Sequence, residues 1–150
     1  MKSEIDIQFE LCTAQRAVSN YFKGILSDFQ ITPAQYALLK CLWAEDMKTP
    51  SQLAKELRLD AATVTGILDR MEKSDLLERV YNRQNRRNVS IHLLERGVRL
   101  REPVEKAVSA ANCAMTLGFE SRDFVELKTL LRKLDHNIKT SQRSAARDLA

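Results

Sequence analysis

A chain of 150 residues, 44% apolar and 29% charged, is long enough to bury one core and too apolar to stay disordered. With 4 glycines and 3 prolines it lacks the turn-formers of an all-β sandwich, so helices are expected. The net charge of +4 is modest, yet Arg79, Arg83, Arg86 and Arg87 fall between residues 79 and 94 with no acid among them.

The longest run without a formal charge, residues 107–119, holds 13 residues, short of the about 18–20 that span a bilayer. The N-terminal Met1-Lys2-Ser3-Glu4 lacks a basic stretch followed by an apolar one, so no secretory signal is expected. Cys12, Cys41 and Cys113 are odd in number and far apart, against a disulfide framework or a CxxC metal site. They are expected to be buried free thiols in a reducing cytoplasm.

In chain order, Leu11, Val18, Phe22, Ile25 and Phe29 repeat at helical spacing and predict a helix within residues 5–29. Thr32 before Pro33 reads as an N-cap with proline at the first helical position, and Tyr36, Leu39, Leu42 and Trp43 form the apolar face. Thr49-Pro50-Ser51-Gln52 repeats the device as a capping box and opens a short helix carrying Leu53, Ala54 and Leu57. Asp60 caps the next, in which Val64, Ile67, Leu68 and Met71 share one face. Two short capped helices joined this tightly form a helix-turn-helix. Residues 76–81 and 88–93 then read as strands, since Val89, Ile91 and Leu93 alternate with polar residues. Residues 82–87 form the hairpin loop. Helical spacing returns at Leu100, Val104, Val108, Ala111 and Met115, with Pro103 marking a bend or a late start. Gly118 breaks that run, Ser121 reads as the last N-cap, and Leu127, Leu130, Leu131, Leu134 and Ile138 line the final helix. Residues 139–150 are polar and small and are expected to fray.

The predicted fold is mainly α with a small β-hairpin. It is one domain over residues 1–150: a winged helix-turn-helix (about 32–97) flanked by N- and C-terminal dimerisation helices (about 5–29 and 98–140). In such a module the second helix enters the major groove. Its outward face holds Ala62, Thr63, Thr65, Gly66, Asp69, Arg70 and Lys73. Thr63 and Thr65 can donate to phosphate or to a base edge, and Ala62 can meet a thymine methyl. Arg83, Arg86 and Arg87 at the hairpin tip suit phosphates and a narrow minor groove.

The runs Ile31-Thr32-Pro33-Ala34-Gln35-Tyr36, Leu59-Asp60-Ala61-Ala62-Thr63-Val64-Thr65, Leu68-Asp69-Arg70-Met71-Glu72, Leu76-Leu77-Glu78-Arg79 and Asn85-Arg86-Arg87, with Leu53-Ala54, Leu93 and Gly97, resemble the multiple-antibiotic-resistance regulator (MarR) family. The resemblance implies a cytoplasmic, homodimeric, double-stranded-DNA-binding regulator, usually a repressor relieved by a small phenolic or lipophilic ligand or by thiol oxidation. On matching positions it implies that Asp69 and Arg87 tie the recognition helix to the wing, while Arg83 and Arg86 approach the minor groove. Asn85 stands where the family often has Asp, and Gly66 where it often has a larger polar residue. Those two departures put the wing's own ion pair and one base contact in question.

The family pocket implies Arg16, Tyr21, Phe22, Tyr36 and Trp43 as candidates for an aromatic effector, against their reading as packing residues. Cys12 lies on the first helix, where thiol-sensing relatives carry a reactive cysteine, though about one turn out of register. His92 and His136 are too separated for a metal site, and no cofactor motif is present. No Gly-rich phosphate loop, HExxH or nucleophile elbow supports an enzyme. The alternatives are a thiol-based redox regulator of the same fold and a winged-helix protein-interaction module, and the basic wing argues against the second.

Overall fold

The computed structural model describes residues 6–85 and 87–148. Contacts divide the chain into two units, with the boundary after Ala111. The first contains α1 (Ile7–Ser27), α2 (Pro33–Ala44), α3 (Pro50–Leu57), α4 (Ala61–Lys73), β1 (Leu77–Tyr81), β2 (Val89–Leu93), α5 (Glu95–Arg99) and most of α6 (Arg101–Met115). The second holds the end of α6 and α7 (Ser121–Asp148).

Each helix of the module starts where its cap stands. Thr32 and Thr49 accept from the amides of Gln35 and Gln52, whose side chains return the bond to the cap amides, closing two capping boxes with proline in the first turn. Asp60 accepts from the Thr63 amide at 2.8 Å. The helix ends follow a different rule, because glycine is scarce. Gln30, Arg58 and Asp75 take φ values of 57, 53 and 55°, and the residue after each reaches back across the turn. Ile31, Leu59 and Leu76 donate to the carbonyls of Leu26, Ala54 and Met71 at 3.3, 3.0 and 3.0 Å. These are Schellman-type closures, and the apolar residue after two of them, Ile31 and Leu76, is buried.

The core joins Leu26 of α1, Leu38, Leu39, Leu42 and Trp43 of α2, Leu53 of α3 and Val64, Ile67, Leu68 and Met71 of α4. Leu76, Leu77, Ile91, Leu93, Val104 and Val108 complete it. The expected stripe of α4 is therefore buried throughout, while in α3 Leu53 is buried and Ala54 and Leu57, like Tyr36 of α2, pack half-buried against the core. In α1, only Leu26 is buried; Phe22 and Phe29 pack on the core, while Leu11 and Val18 are exposed.

The hairpin is antiparallel, with Leu77 opposite Leu93 and Tyr81 opposite Val89. The outer edge of β2 is covered by the α2–α3 connection: Ile91 donates to the Lys48 carbonyl at 2.8 Å and Leu93 to Asp46 Oδ1 at 3.1 Å. Lys48 holds that connection in place, its ammonium 2.6 Å from Glu56 and 3.4 Å from Glu45.

Three sequence expectations need correction. A short helix, α5, precedes α6 and was not expected as a separate element, while Pro103 sits in the first turn of α6, the late start it predicted, where its missing N–H costs nothing. Ser121 is the first residue of α7, and the turn before it is closed by Asp123, which accepts from the Glu120 amide at 2.7 Å. Residues 139–148 are helical instead of frayed: the segment is rich in good helix formers, and Lys139 pairs with Asp135 one turn back at 2.6 Å. None of the described side chains of α7 is buried, and Phe124, Val125, Leu127, Leu130, Leu131 and Ile138 are exposed.

Gly97 fixes how α5 leaves the hairpin. A Cβ there would lie 2.2 Å from the Leu76 carbonyl oxygen and 3.1 Å from a Leu93 methyl. The close approach also lets the Trp43 indole N–H donate to the Gly97 carbonyl at 2.9 Å, while Arg101 donates to the Trp43 carbonyl at 3.0 Å. Overpacking against a rigid backbone costs about 1–3 kcal/mol. Gly97→Ala is expected to lower stability by that amount in urea titration, with the binding surface untouched; an unchanged midpoint would show that the joint yields freely.

Candidate nucleic-acid interface

Val64, Ile67, Leu68 and Met71 turn one face of α4 into the core, so geometry forces the opposite face outward. Ala62, Thr63, Thr65, Asp69, Arg70 and Lys73 are exposed and Gly66 is half-buried. The helix begins at the Asp60 cap, immediately after the tight turn from α3.

The carboxylates beside this face do not stay free. Arg79 of β1, its side chain 15% exposed, reaches Asp69 Oδ1 at 2.7 Å and Glu72 Oε2 at 2.6 Å. The Arg79 amide also donates to Glu72 Oε1 at 3.1 Å. Burial opposes the charge on Arg79, and the two carboxylates outweigh it, holding its pKa above the ordinary arginine value. One cation thus fastens β1 to α4 and offsets one of the two negative charges it contacts. This corrects the expected Asp69–Arg87 pair: the partner of Asp69 is Arg79. The reason is period-2 geometry, which puts Leu77 and Arg79 on the face of β1 turned toward α4. In the sequence, Arg79 stands out only as one member of the basic block. An arginine at an inward position of a half-buried strand, close after a helix carrying two outward carboxylates, is the signal that identifies it.

A second revision concerns Thr63. Its hydroxyl donates to Asp60 Oδ2 at 2.7 Å, so it offers lone pairs, not a proton, to an incoming ligand. The bonds from Thr63, side chain first, hold the Asp60 carboxyl below its ordinary pKa. That cap therefore supports the helix at neutral pH, and the support is lost only as pH falls through the lowered value.

The wing loop is shaped by its asparagines. Asn82 Oδ1 accepts from the Gln84 amide at 2.8 Å and Asn85 Oδ1 from the Arg87 amide at 3.1 Å, two local turns of the Asx type. Asn85 thus has structural work that needs no charge. Arg83 and Arg87 are exposed, and Arg86 lies outside the described residues.

Two of the expected effector residues, Tyr36 and Trp43, are engaged in packing. Trp43 is buried, donates to Gly97, and meets Tyr36 edge-on with ring centroids 6.3 Å apart. Phe22 packs on the core and touches the exposed Tyr21, with ring centroids 5.8 Å apart. Arg16, on the same helix α1, lines with Asp6, Gln8, Phe9, Cys12 and Thr13 a surface depression of about 280 Å³. The expectation of buried cysteines also fails. Cys12 and Cys113 are exposed, because their helices present those turns to solvent. Cys41 is half-buried, and burial, followed by Glu56, pushes its thiol pKa up.

Charge-assisted hydrogen bonds contribute about 1.5–3 kcal/mol each, less where solvent reaches the carboxylates. Arg79→Ala is therefore expected to cost about 1–2 kcal/mol in urea unfolding and to weaken DNA binding, since it frees two carboxylates beside the groove-facing side. Arg79→Ala/Asp69→Ala/Glu72→Ala should recover part of the affinity; no recovery would mean that Arg79 acts through neither carboxylate.

The sequence matches the model of the MarR family over residues 31–89. The chain is 33% identical over 135 residues to the organic hydroperoxide resistance transcriptional regulator of Bacillus subtilis (strain 168), covering 89% of this chain and 90% of that one. It is 34% identical over 130 residues to the HTH-type transcriptional regulator MgrA of Staphylococcus aureus, covering 85% and 86%. Among solved structures, reduced AbfR bound to DNA superposes with a TM-score of 0.71 at 27% identity, over 87% of this chain and 89% of that one. The capped helix pair, the hairpin braced on its second helix and these likenesses agree: the chain belongs to the MarR family of winged-helix transcriptional regulators.

Proposed function

We propose that the protein binds a pseudo-palindromic operator in double-stranded DNA as a homodimer and represses transcription from it. The observation that carries this reading is the Arg79 bridge, which ties up Asp69 and Glu72 and offsets one of their two charges, beside the exposed cations Arg70, Lys73, Arg83 and Arg87. The dimer rests on the exposed apolar residues of each arm: Ile7, Phe9, Leu11 and Val18 on α1, and Phe124, Leu127, Leu130 and Ile138 on α7. Exposed stripes of this extent mark an association surface, and a second copy of the chain supplies the matching one. A two-fold dimer then meets half-sites about 10 bp apart. The protein acts in the cytoplasm, where the DNA is.

The division of labour follows from charge. Arg83, Arg86 and Arg87 meet phosphate and the minor groove, while Ala62, Thr65 and Gly66 face base edges. Thr63 and Asp60 hold the helix start at the correct depth. In scattering measurements the protein is expected at twice the 17.2 kDa of one chain; a stable monomer would overturn the dimer. With an operator obtained by genomic selection, Arg83→Ala or Arg86→Ala should weaken specific and random DNA alike. The log–log salt slope should flatten by about 0.9 for each phosphate that is no longer neutralised. Thr65→Ala should instead reduce the ratio of specific to random affinity. Unchanged affinity and slope in Arg86→Ala would remove the wing from the interface.

For the signal that releases DNA, one observation favours thiol oxidation over an aromatic ligand. Cys12 is exposed beside Arg16 in the same depression, whereas Tyr36 and Trp43 are committed to packing. An organic hydroperoxide would oxidise the Cys12 thiolate by two electrons to the sulfenic acid and be reduced to the alcohol. Cumene hydroperoxide is expected to release operator from the wild type and not from Cys12→Ser. Equal release from both would return the effector to a ligand, with Arg16, Tyr21 and Phe22 as its nearest candidates.

A further inference from the structure

We propose that Arg70 adds to operator selection by reading a guanine in each half-site, beside the base-edge contacts of Ala62 and Thr65, and that Gly66 is the slot that lets it do so. This rests on the reading of α4 as the recognition helix and says which of its side chains reads guanine. Helix side chains lean toward the N-terminus, so Arg70 lies back over the position four residues earlier. That position is Gly66, and Arg70 Nη1 stands 3.8 Å from where a Cβ at residue 66 would be. Apart from the adjoining residues and the helix's own backbone, no other atom of the described residues comes within 4 Å of that point. A methyl group there would be tolerated; a longer side chain would occupy the space that the guanidinium crosses. The glycine's usual penalty in a helix, about 1 kcal/mol relative to Ala, is thereby given a purpose.

The neighbours leave this task to Arg70. Asp69 and Glu72 are held by Arg79, and among the described residues no ion pair to Arg70 is present. Thr63 spends its proton on Asp60, and Ala62 and Gly66 have no polar side-chain atoms. The outward donors on α4 are then Thr65, Arg70 and Lys73. Of these, only arginine has the planar fork that matches guanine O6 and N7 in the major groove.

The test uses the full-length protein and its selected operator. Guanines are replaced one at a time by 7-deazaguanine, which removes the N7 acceptor and keeps base pairing. For the wild type, one guanine in each half-site is expected to lose about tenfold in affinity on replacement, within the range for one bidentate pair. In Arg70→Ala that penalty should vanish, and Arg70→Lys should retain affinity for random DNA without restoring the penalty. Gly66→Gln should also abolish it, with the salt slope near that of the wild type. Urea midpoints matching the wild type show that each variant is folded. The proposal is overturned if the penalty persists in Arg70→Ala, or if no guanine shows one in the wild type. If Arg83→Ala still weakens binding in that case, the interface stands and only the role of Arg70 fails. If Arg70→Ala, Lys73→Ala and Arg83→Ala all bind like the wild type, α4 is not on DNA and both readings fail.

Discussion

A β-hairpin of two five-residue strands has little stability of its own, and here its orientation relative to α4 depends on Arg79. The guanidinium draws on two carboxylates from successive turns of the helix, and so adds a two-point brace to the packing of Leu77, Ile91 and Leu93 in the core. A lysine could satisfy one of them at a time, because only the arginine fork offers divergent donors in a rigid plane. The same bridge sets the electrostatic character of the surface. Two acids that would repel phosphate are held from behind by a cation that does not itself face outward and that offsets one of their two charges.

The order of elements was legible because the chain states its beginnings in chemistry that sequence alone displays: Thr32 and Thr49 with proline and glutamine, Asp60 with a helical stripe. The ends were less legible. Three helices stop on Gln30, Arg58 and Asp75 in left-handed conformation, residues that carry no glycine-like signal, so each stop depends on the bonds behind it. The extension of α7 through residues 139–148 was missed for a related reason. Helix propensity without an apolar stripe resembles a solvated tail.

The exposure of the outer face of α4 followed from the burial of its opposite face, and that of Arg83 and Arg87 from their placement in a hairpin loop. The pairing of Asp69 did not, because choosing between Arg79 and Arg87 requires the register of β1, which is a tertiary fact. Thr63 shows a similar limit: a hydroxyl three residues after a carboxylate cap is as ready to bond inward as outward. The effector residues were the least legible, since an aromatic side chain on an inner helical face reads alike as core and as pocket.

The joint at Gly97 has a consequence for how the molecule can be observed. Trp43 is the chain's one tryptophan, and it is held at both ends, by its indole N–H to the Gly97 carbonyl and by its own carbonyl from Arg101. Its emission therefore reports on the joint between α2 and the α5–α6 segment, at a distance from the outer face of α4. A shift in colour or anisotropy would record mechanical strain passing through that joint, making the indole a built-in gauge of conformational transmission.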